Sequence, residues 1–215
     1  MQLNFQTLFV TFGLFLFSAS SAAGVIYDNG TATGDSARCA ETSGACSGSW
    51  TVFDDFVVGT DSEITSISWT ARFYAGLSDY NFSNIWIYDN DPVFASGTQL
   101  FSFSSAGTVT ASGLGSNFYD IALSGFSQTL AAGTYWLGLQ HDTNASYATV
   151  ASTGAVNNST QWQNDGAGNR NSGQPEMAFK IHGNAIEVSE PAYFGLFILL
   201  SLSLLSTRRH ALQRG

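Results

Sequence analysis

The sequence predicts an all-β fold: an antiparallel β-sandwich, jelly-roll-like, of about ten strands. Three observations carry the prediction. Apolar residues in the middle of the chain recur with a period of two. Turn residues interrupt these runs at short, fairly even intervals. No stretch between the two chain ends keeps an apolar helical stripe for three turns.

Val25–Tyr27 is the first candidate strand, closed by Asn29-Gly30. Trp50–Phe53 and Asp55–Val58 follow and end at Gly59-Thr60-Asp61. The clearest strand is Ser66–Phe73, where Ile67, Trp69, Ala71 and Phe73 alternate with Ser66, Ser68, Thr70 and Arg72. One apolar and one polar face is the pattern of a half-buried strand. Ile85–Tyr88 is apolar on both faces, which predicts a central strand with Trp86 in the core. Asp89-Asn90-Asp91-Pro92 ends it. Leu100–Phe103 is a shorter candidate, and Tyr119, Ile121 and Leu123 mark another that Ser124-Gly125 is expected to stop. After Ala132-Gly133, Tyr135, Leu137 and Leu139 alternate with Thr134, Trp136, Gly138 and Gln140. Ala148–Val150, Gln161–Gln163 and the alternating Met177, Phe179 and Ile181 complete the series.

The chain has 215 residues, 44% of them hydrophobic, 14% aromatic and only 11% charged. That is too apolar for a disordered chain. Lys and Arg number 7 against 16 Asp and Glu, giving a net charge of -9. This balance excludes nucleic acid as a partner, since phosphates need a basic patch. It also excludes a polybasic membrane-surface protein.

Both ends depart from the β pattern. Leu8–Phe17 is a ten-residue apolar run followed by Ser18-Ala19-Ser20-Ser21-Ala22-Ala23. Residues 1–23 therefore read as a secretory signal peptide, cleaved after Ala22 or Ala23. At the other end, residues 192–207 are apolar apart from hydroxyl groups, and Arg208-Arg209-His210 follows. This is a transmembrane helix, its basic end held at the cytoplasmic side. The expected organisation is a leader (1–23), an exported sandwich (24–183), a tether (184–190), and a helix with a basic tail (191–215). Three of the seven basic residues lie in the tail, at 208, 209 and 214. The exported part keeps four against 16 acids, a net charge of -12.

Ser189-Glu190-Pro191, the short apolar helix and Arg208-Arg209 together resemble a PEP-CTERM sorting signal. The first Pro of that motif is Ser189 here. The resemblance implies an exported protein of a Gram-negative bacterium that makes extracellular polysaccharide. It also implies recognition at the inner membrane by an exosortase, a protease or transpeptidase, with Ser189, Glu190 and Pro191 as the processing zone. Asp54-Asp55-Phe56, Ile64–Trp69, Phe82–Tyr88 and Ala132–Leu137 resemble, in this order, a β-sandwich module common in such proteins. That resemblance spans most of residues 50–182 and implies fold and location, the cell surface or the extracellular matrix.

Candidate chemistry is sparse. Cys39 and Cys46 are the two cysteines, with six residues between them. In an exported chain such a pair reads as a disulfide; a metal site would need further soft ligands, and the spacing is not Cys-x-x-Cys. Asp89, Asn90 and Asp91 serve a turn through their own backbone, or else a Ca²⁺ site through Asp89 and Asp91. No cofactor is otherwise expected. Trp136 falls on the face opposite Leu137 and Leu139, and Trp162 lies in an amide-rich stretch. These two are the candidate contacts for a glycan, because an aromatic face stacks on a sugar ring. The sequence has neither Gly-x-Ser-x-Gly nor His-Glu-x-x-His. The expectation is thus a non-enzymatic, exported, polysaccharide-associated protein, with a carbohydrate-binding module as the alternative and a glycan hydrolase as the third reading.

Overall fold

The structure is a computed structural model that describes residues 23–46, 48–144, 146–154, 161–164 and 170–186. Residues 1–22 of the expected leader, Ser189, Glu190 and Pro191, the helix 192–207, and Arg208 and Arg209 lie outside these residues. Among the described residues no helix is long and apolar enough to cross a membrane.

The described residues are all-β. In chain order the strands are β1 (Gly24–Asp28), β2 (Ser36–Cys39), β3 (Thr51–Val58), β4 (Ser62–Phe73), β5 (Tyr80–Tyr88), β6 (Gln99–Ser105) and β7 (Thr108–Ala111). Then come β8 (Phe118–Leu130), β9 (Gly133–Thr143), β10 (Ala148–Ala151), β11 (Gln161–Asn164), β12 (Arg170–Gln174) and β13 (Phe179–Ala185). The compact unit that holds them ends at Ala185.

Two sheets form, and every ladder between described strands is antiparallel. The first sheet runs β1-β13-β4-β10-β2, with β8 on the other side of β4 and β7 beyond it. The second runs β12-β11-β3-β9-β5-β6. Strand β4 is the spine of the first sheet. Strand β8 lies along one side of it from Ser62 to Arg72. On the other side β13 pairs with Ser62–Trp69 and β10 with Ala71–Phe73, end to end.

The alternation read from the sequence decides which side chains enter the space between the sheets. Ile64, Ile67, Phe73, Ile121, Leu123, Phe179 and Ile181 come from the first sheet, and Val52, Phe56, Ile85, Ile87, Leu137 and Leu139 from the second, all 0–1% exposed. Phe56 sits at the junction, with ring centroids 6.1 Å from Tyr27, 5.8 Å from Tyr135 and 6.4 Å from Phe179. Burying each such aromatic contributes about 1.5–3 kcal/mol by area.

Three expectations about elements are corrected. Ser124-Gly125 does not end a strand; it is a bulge inside β8. There Ile64 faces Gln128 and Ser66 faces Ser124, so two steps on β4 oppose four on β8. Trp50–Phe53 and Asp55–Val58 are one strand, β3. Trp86 is not in the core: Ile85 and Ile87 point inward, so the pleat turns Trp86 to the outer face, where it is half-buried.

Candidate functional site

The outer face of the second sheet collects aromatic side chains from three adjacent strands. Because Val52, Phe56, Leu137, Leu139, Ile85 and Ile87 fill the inner face, the alternate residues Phe53, Trp136, Trp86 and Tyr88 lie outside. The register aligns them in two rows. Phe53 pairs with Gly138, Gly138 with Trp86, and Trp86 with Ser102. Asp55 pairs with Trp136, Trp136 with Tyr88, and Tyr88 with Gln99.

Gly138 makes the first row possible. A Cβ there would stand 2.9 Å from Phe53 Cε1 and 3.3 Å from Trp86 Cε3, so the two rings close over bare backbone. Phe53 meets Tyr88 edge to face, with centroids 5.9 Å apart and planes at 72°. Trp136, Trp86 and Tyr88 are each half-buried, leaving part of each ring open. The backbone of Trp162 pairs with Phe53 and extends the first row by one strand; its side chain is outside the described residues. The rim is polar: Gln99 and Ser102 are exposed, and Ser104 Oγ donates to Asn84 Oδ1 at 2.5 Å. Asp55, beside Trp136, has a buried Oδ1 without a hydrogen-bond partner.

A second constellation lies where β1, β3 and the start of β13 meet. Asp54 and Glu176 are 0% and 1% exposed. Asp54 Oδ2 accepts from Met177 N at 2.6 Å and from Asn29 Nδ2 at 3.2 Å, and Oδ1 accepts from Asp55 N at 3.1 Å. Tyr27 Oη donates to Asn29 Oδ1 at 3.0 Å. Burial, and then the hydrogen-bonded Glu176 carboxyl and its charge, push the Asp54 carboxyl well above its usual range. Burial and the nearby Asp54, Asp55 and Glu176 charges push the Tyr27 phenol up to about 12. One oxygen from each of Asp54, Asp55 and Glu176 lies within 4.8 Å of the others, so a cation has a donor set here.

The remaining candidates have structural partners. Cys39 and Cys46 are joined as a disulfide, with Cα atoms 6.4 Å apart. Glu41 organises the loop they close: its carboxylate accepts from Ser43 Oγ, from Gly44 N at 3.0 Å and from Cys46 N at 2.9 Å. Asp89 Oδ1 accepts from Thr98 N at 2.6 Å, and Asp91 Oδ1 from Val93 N at 2.7 Å and Phe94 N at 3.1 Å. Both carboxylates thus fix the Asp89–Thr98 loop, and the carboxylates that cluster are Asp54, Asp55 and Glu176. No protein-family model, curated protein or solved structure matches the chain. Any function therefore has to be argued from the two constellations themselves.

Sequence reasoning placed Trp136 on the outer face and named Trp162, but it missed Phe53, Trp86 and Tyr88. Their signal was the pleat itself: each alternates with a residue that the core demands. The Asp54 site also had a signal, since Asp54 falls between Val52 and Phe56 on the apolar side of β3. Glu176 had none, because only the fold brings it to β3.

Proposed function

We propose that this chain is an exported, non-enzymatic protein of the cell surface or the extracellular polysaccharide matrix, and that it holds polysaccharide on the outer face of its second sheet. The observation that carries the reading is the aromatic surface formed by Phe53 and Trp86 over Gly138 and by the neighbouring pair Trp136 and Tyr88. The partly open rings of Trp86, Tyr88 and Trp136, with buried Phe53 beneath them and a polar rim, suit the apolar face of a sugar ring and its hydroxyls. Phe53, Trp86, Tyr88 and Trp136 have no cation among their pairing partners on β3, β5, β6 and β9, which favours a neutral glycan over an anionic one.

The route to the surface rests on the tail. Residues 1–23 direct export, Ser189-Glu190-Pro191 is the zone an exosortase-type protease acts on at the inner membrane, the helix 192–207 is the handle, and Arg208-Arg209 stops transfer. The disulfide fits an oxidising compartment outside the cytoplasm. The jelly-roll-like description fits the way the chain passes between sheets at β2–β3–β4–β5, β6–β7, β8–β9–β10–β11 and β12–β13. Hydrolysis is disfavoured: the closely paired carboxyls, Asp54 and Glu176, are buried between the sheets and out of reach of a glycosidic bond.

The test is retention of the full chain on insoluble neutral polysaccharides. Trp136→Ala and Trp86→Ala are each expected to weaken retention about tenfold, the worth of one stacked ring. Absence of retention on every polymer, or retention indifferent to both substitutions, overturns the reading. Intact mass from the native host tests the route: a C-terminus near Glu190 in the extracellular fraction supports it, and a mass that includes residues 208–215 in the inner membrane refutes it.

A further inference from the structure

Residues 92–119 contain no Asp, Glu, Lys, Arg or His. In a chain of net charge -9 this is a long neutral interval, bounded by Asp91 and Asp120. The fold gives that interval a specific place. It holds β6, the edge of the second sheet, and β7, the edge of the first, which form one side of the sandwich. Ala106-Gly107 carries the chain from one edge to the other. Gly107 has φ +62°, and a Cβ there would stand 2.5 Å from Leu123 Cδ2 and 2.6 Å from Ala122 O.

An edge strand presents one row of unpaired backbone N–H and C=O groups, and proteins ordinarily guard it with charge, proline, a bulge or brevity. The opposite edges are guarded in this way. Strand β1 carries Asp28, ion-paired to Lys180 at 2.8 Å, and β2 carries Arg38 and the disulfide-bonded Cys39. Strand β6 has seven residues, Gln99–Ser105, with no charge and no proline. A bulge at Leu100 interrupts the register at its start, between Tyr88–Gln99 and Ile87–Phe101, and from Phe101 to Ser105 it pairs regularly with β5 and lies open as an edge. Beneath it Phe101 and Phe103 pack on Phe126, with centroids 5.1 and 5.0 Å away, so the strand rests on a firm base. The same interval exposes Phe94, Leu100 and Leu114 by 40–52%.

We propose that this edge is a self-association surface and that its occupant is a second copy of the chain, β6 pairing antiparallel with β6 of the copy about a twofold axis. The charge distribution selects a like partner. Two copies of an acidic protein repel one another except where neither surface is charged, and this side is the neutral one. A twofold pairing of one edge with itself satisfies both rows of backbone groups and joins two six-stranded sheets into one. It goes beyond the glycan reading and does not depend on it: the outer aromatic face remains open on each copy.

The experiment is sedimentation of the full chain in mild detergent across the micromolar range, with hydrogen exchange read on β6. The wild type is expected to be a dimer, with β6 amides protected and with dimerisation strengthened by salt as residual repulsion is screened. Leu100→Lys with Ser104→Lys is expected to give a folded monomer whose melting temperature no longer depends on protein concentration. Leu100→Thr with Ser104→Thr, which keeps a hydroxyl for Asn84, is expected to remain dimeric. A wild type that is monomeric throughout overturns the proposal, as does a Lys variant that dimerises like the wild type. A monomer with protected β6 amides overturns it too, because another segment of the same chain would then cover the edge.

Discussion

Gly138 faces Phe53 across the β3–β9 ladder, and the ring occupies the space a Cβ would take, 2.9 Å from Phe53 Cε1. The glycine thereby sets the tilt of two rings, since Trp86 Cε3 lies 3.3 Å from the same point. Gly138→Ala is expected to lift both rings, costing about 1–3 kcal/mol as an overpacked site and lowering polysaccharide retention. Urea unfolding and the retention assay measure the two effects separately. Unchanged values in both would mean that the rings relax freely and the platform is not built.

The Asp54–Glu176 pair gives stability a dependence on pH with a definite sign. In the folded state the Asp54 carboxyl holds its proton well above the range in which the unfolded chain releases it. As pH rises past about 4, the unfolded state therefore loses a proton first, and stability falls until the folded carboxyl ionises in turn. Glu176→Gln leaves burial, the largest cause, in place but removes the neighbouring carboxyl and its charge, so the Asp54 carboxyl is raised less. Its stability at pH 7, relative to its own value at pH 4, is expected to exceed that of the wild type. An identical pH 4-to-7 difference in wild type and variant would refute a Glu176 contribution to the raised Asp54 carboxyl.

His141 works in the opposite direction. Its ring is fully buried, hydrogen-bonded through Nδ1 to Ser83 Oγ at 2.9 Å and stacked near Trp69 at 5.9 Å, and its Nε2 has no partner. Burial brings its pKa down to about 3 from the ordinary 6.5. Below pH 6.5 the unfolded chain takes a proton that the folded chain refuses, so stability is lost as pH falls from 6.5 towards 3, by roughly 4 kcal/mol at the lower limit. His141→Gln, which keeps a group for Ser83, is expected to be weaker at neutral pH and flatter on acidification. Midpoints of urea unfolding between pH 4 and 7, compared with those of Glu176→Gln, separate the two opposing slopes.

The Cys39–Cys46 bridge closes a short loop, and chain entropy assigns it about 2.5 kcal/mol. Cys39→Ser with Cys46→Ser is expected to lower stability by that order or less, because the Glu41 carboxylate still gathers Ser43, Gly44 and Cys46 from within the loop. Adding Glu41→Gln should then release the remainder. A single cysteine-pair variant that fails to fold would show that the bridge holds more than its loop.

What was legible in the sequence was whatever the core enforces. The alternation of Ile67, Trp69, Ala71 and Phe73 could be read because each must be buried, and all four are. Strands β2, β7 and β12 were missed because they are short and polar: backbone pairing at an edge holds them, with no apolar stripe to announce it. Trp86 was misread because an aromatic between two isoleucines resembles core by composition, and only the pleat shows which face it takes. The acid pair was invisible because residues 54 and 176 meet through topology alone.

The pairing of the first described strand with the last has a mechanical side. Gly24 stands opposite Gly183, so the chain enters and leaves the sandwich at one corner. A pull on the chain leaving Ala185, directed away from β4, falls first on the rung from Ala185 to Ser62, then on Asn184 to Glu63, then on Gly183 to Ile64. The first two rungs carry load one at a time; from Gly183 on, the pairing of β13 with β1 shares it. Tension in that direction is thus met first at this corner, at the opposite end of β4 from the strands that the Cys39–Cys46 bridge closes.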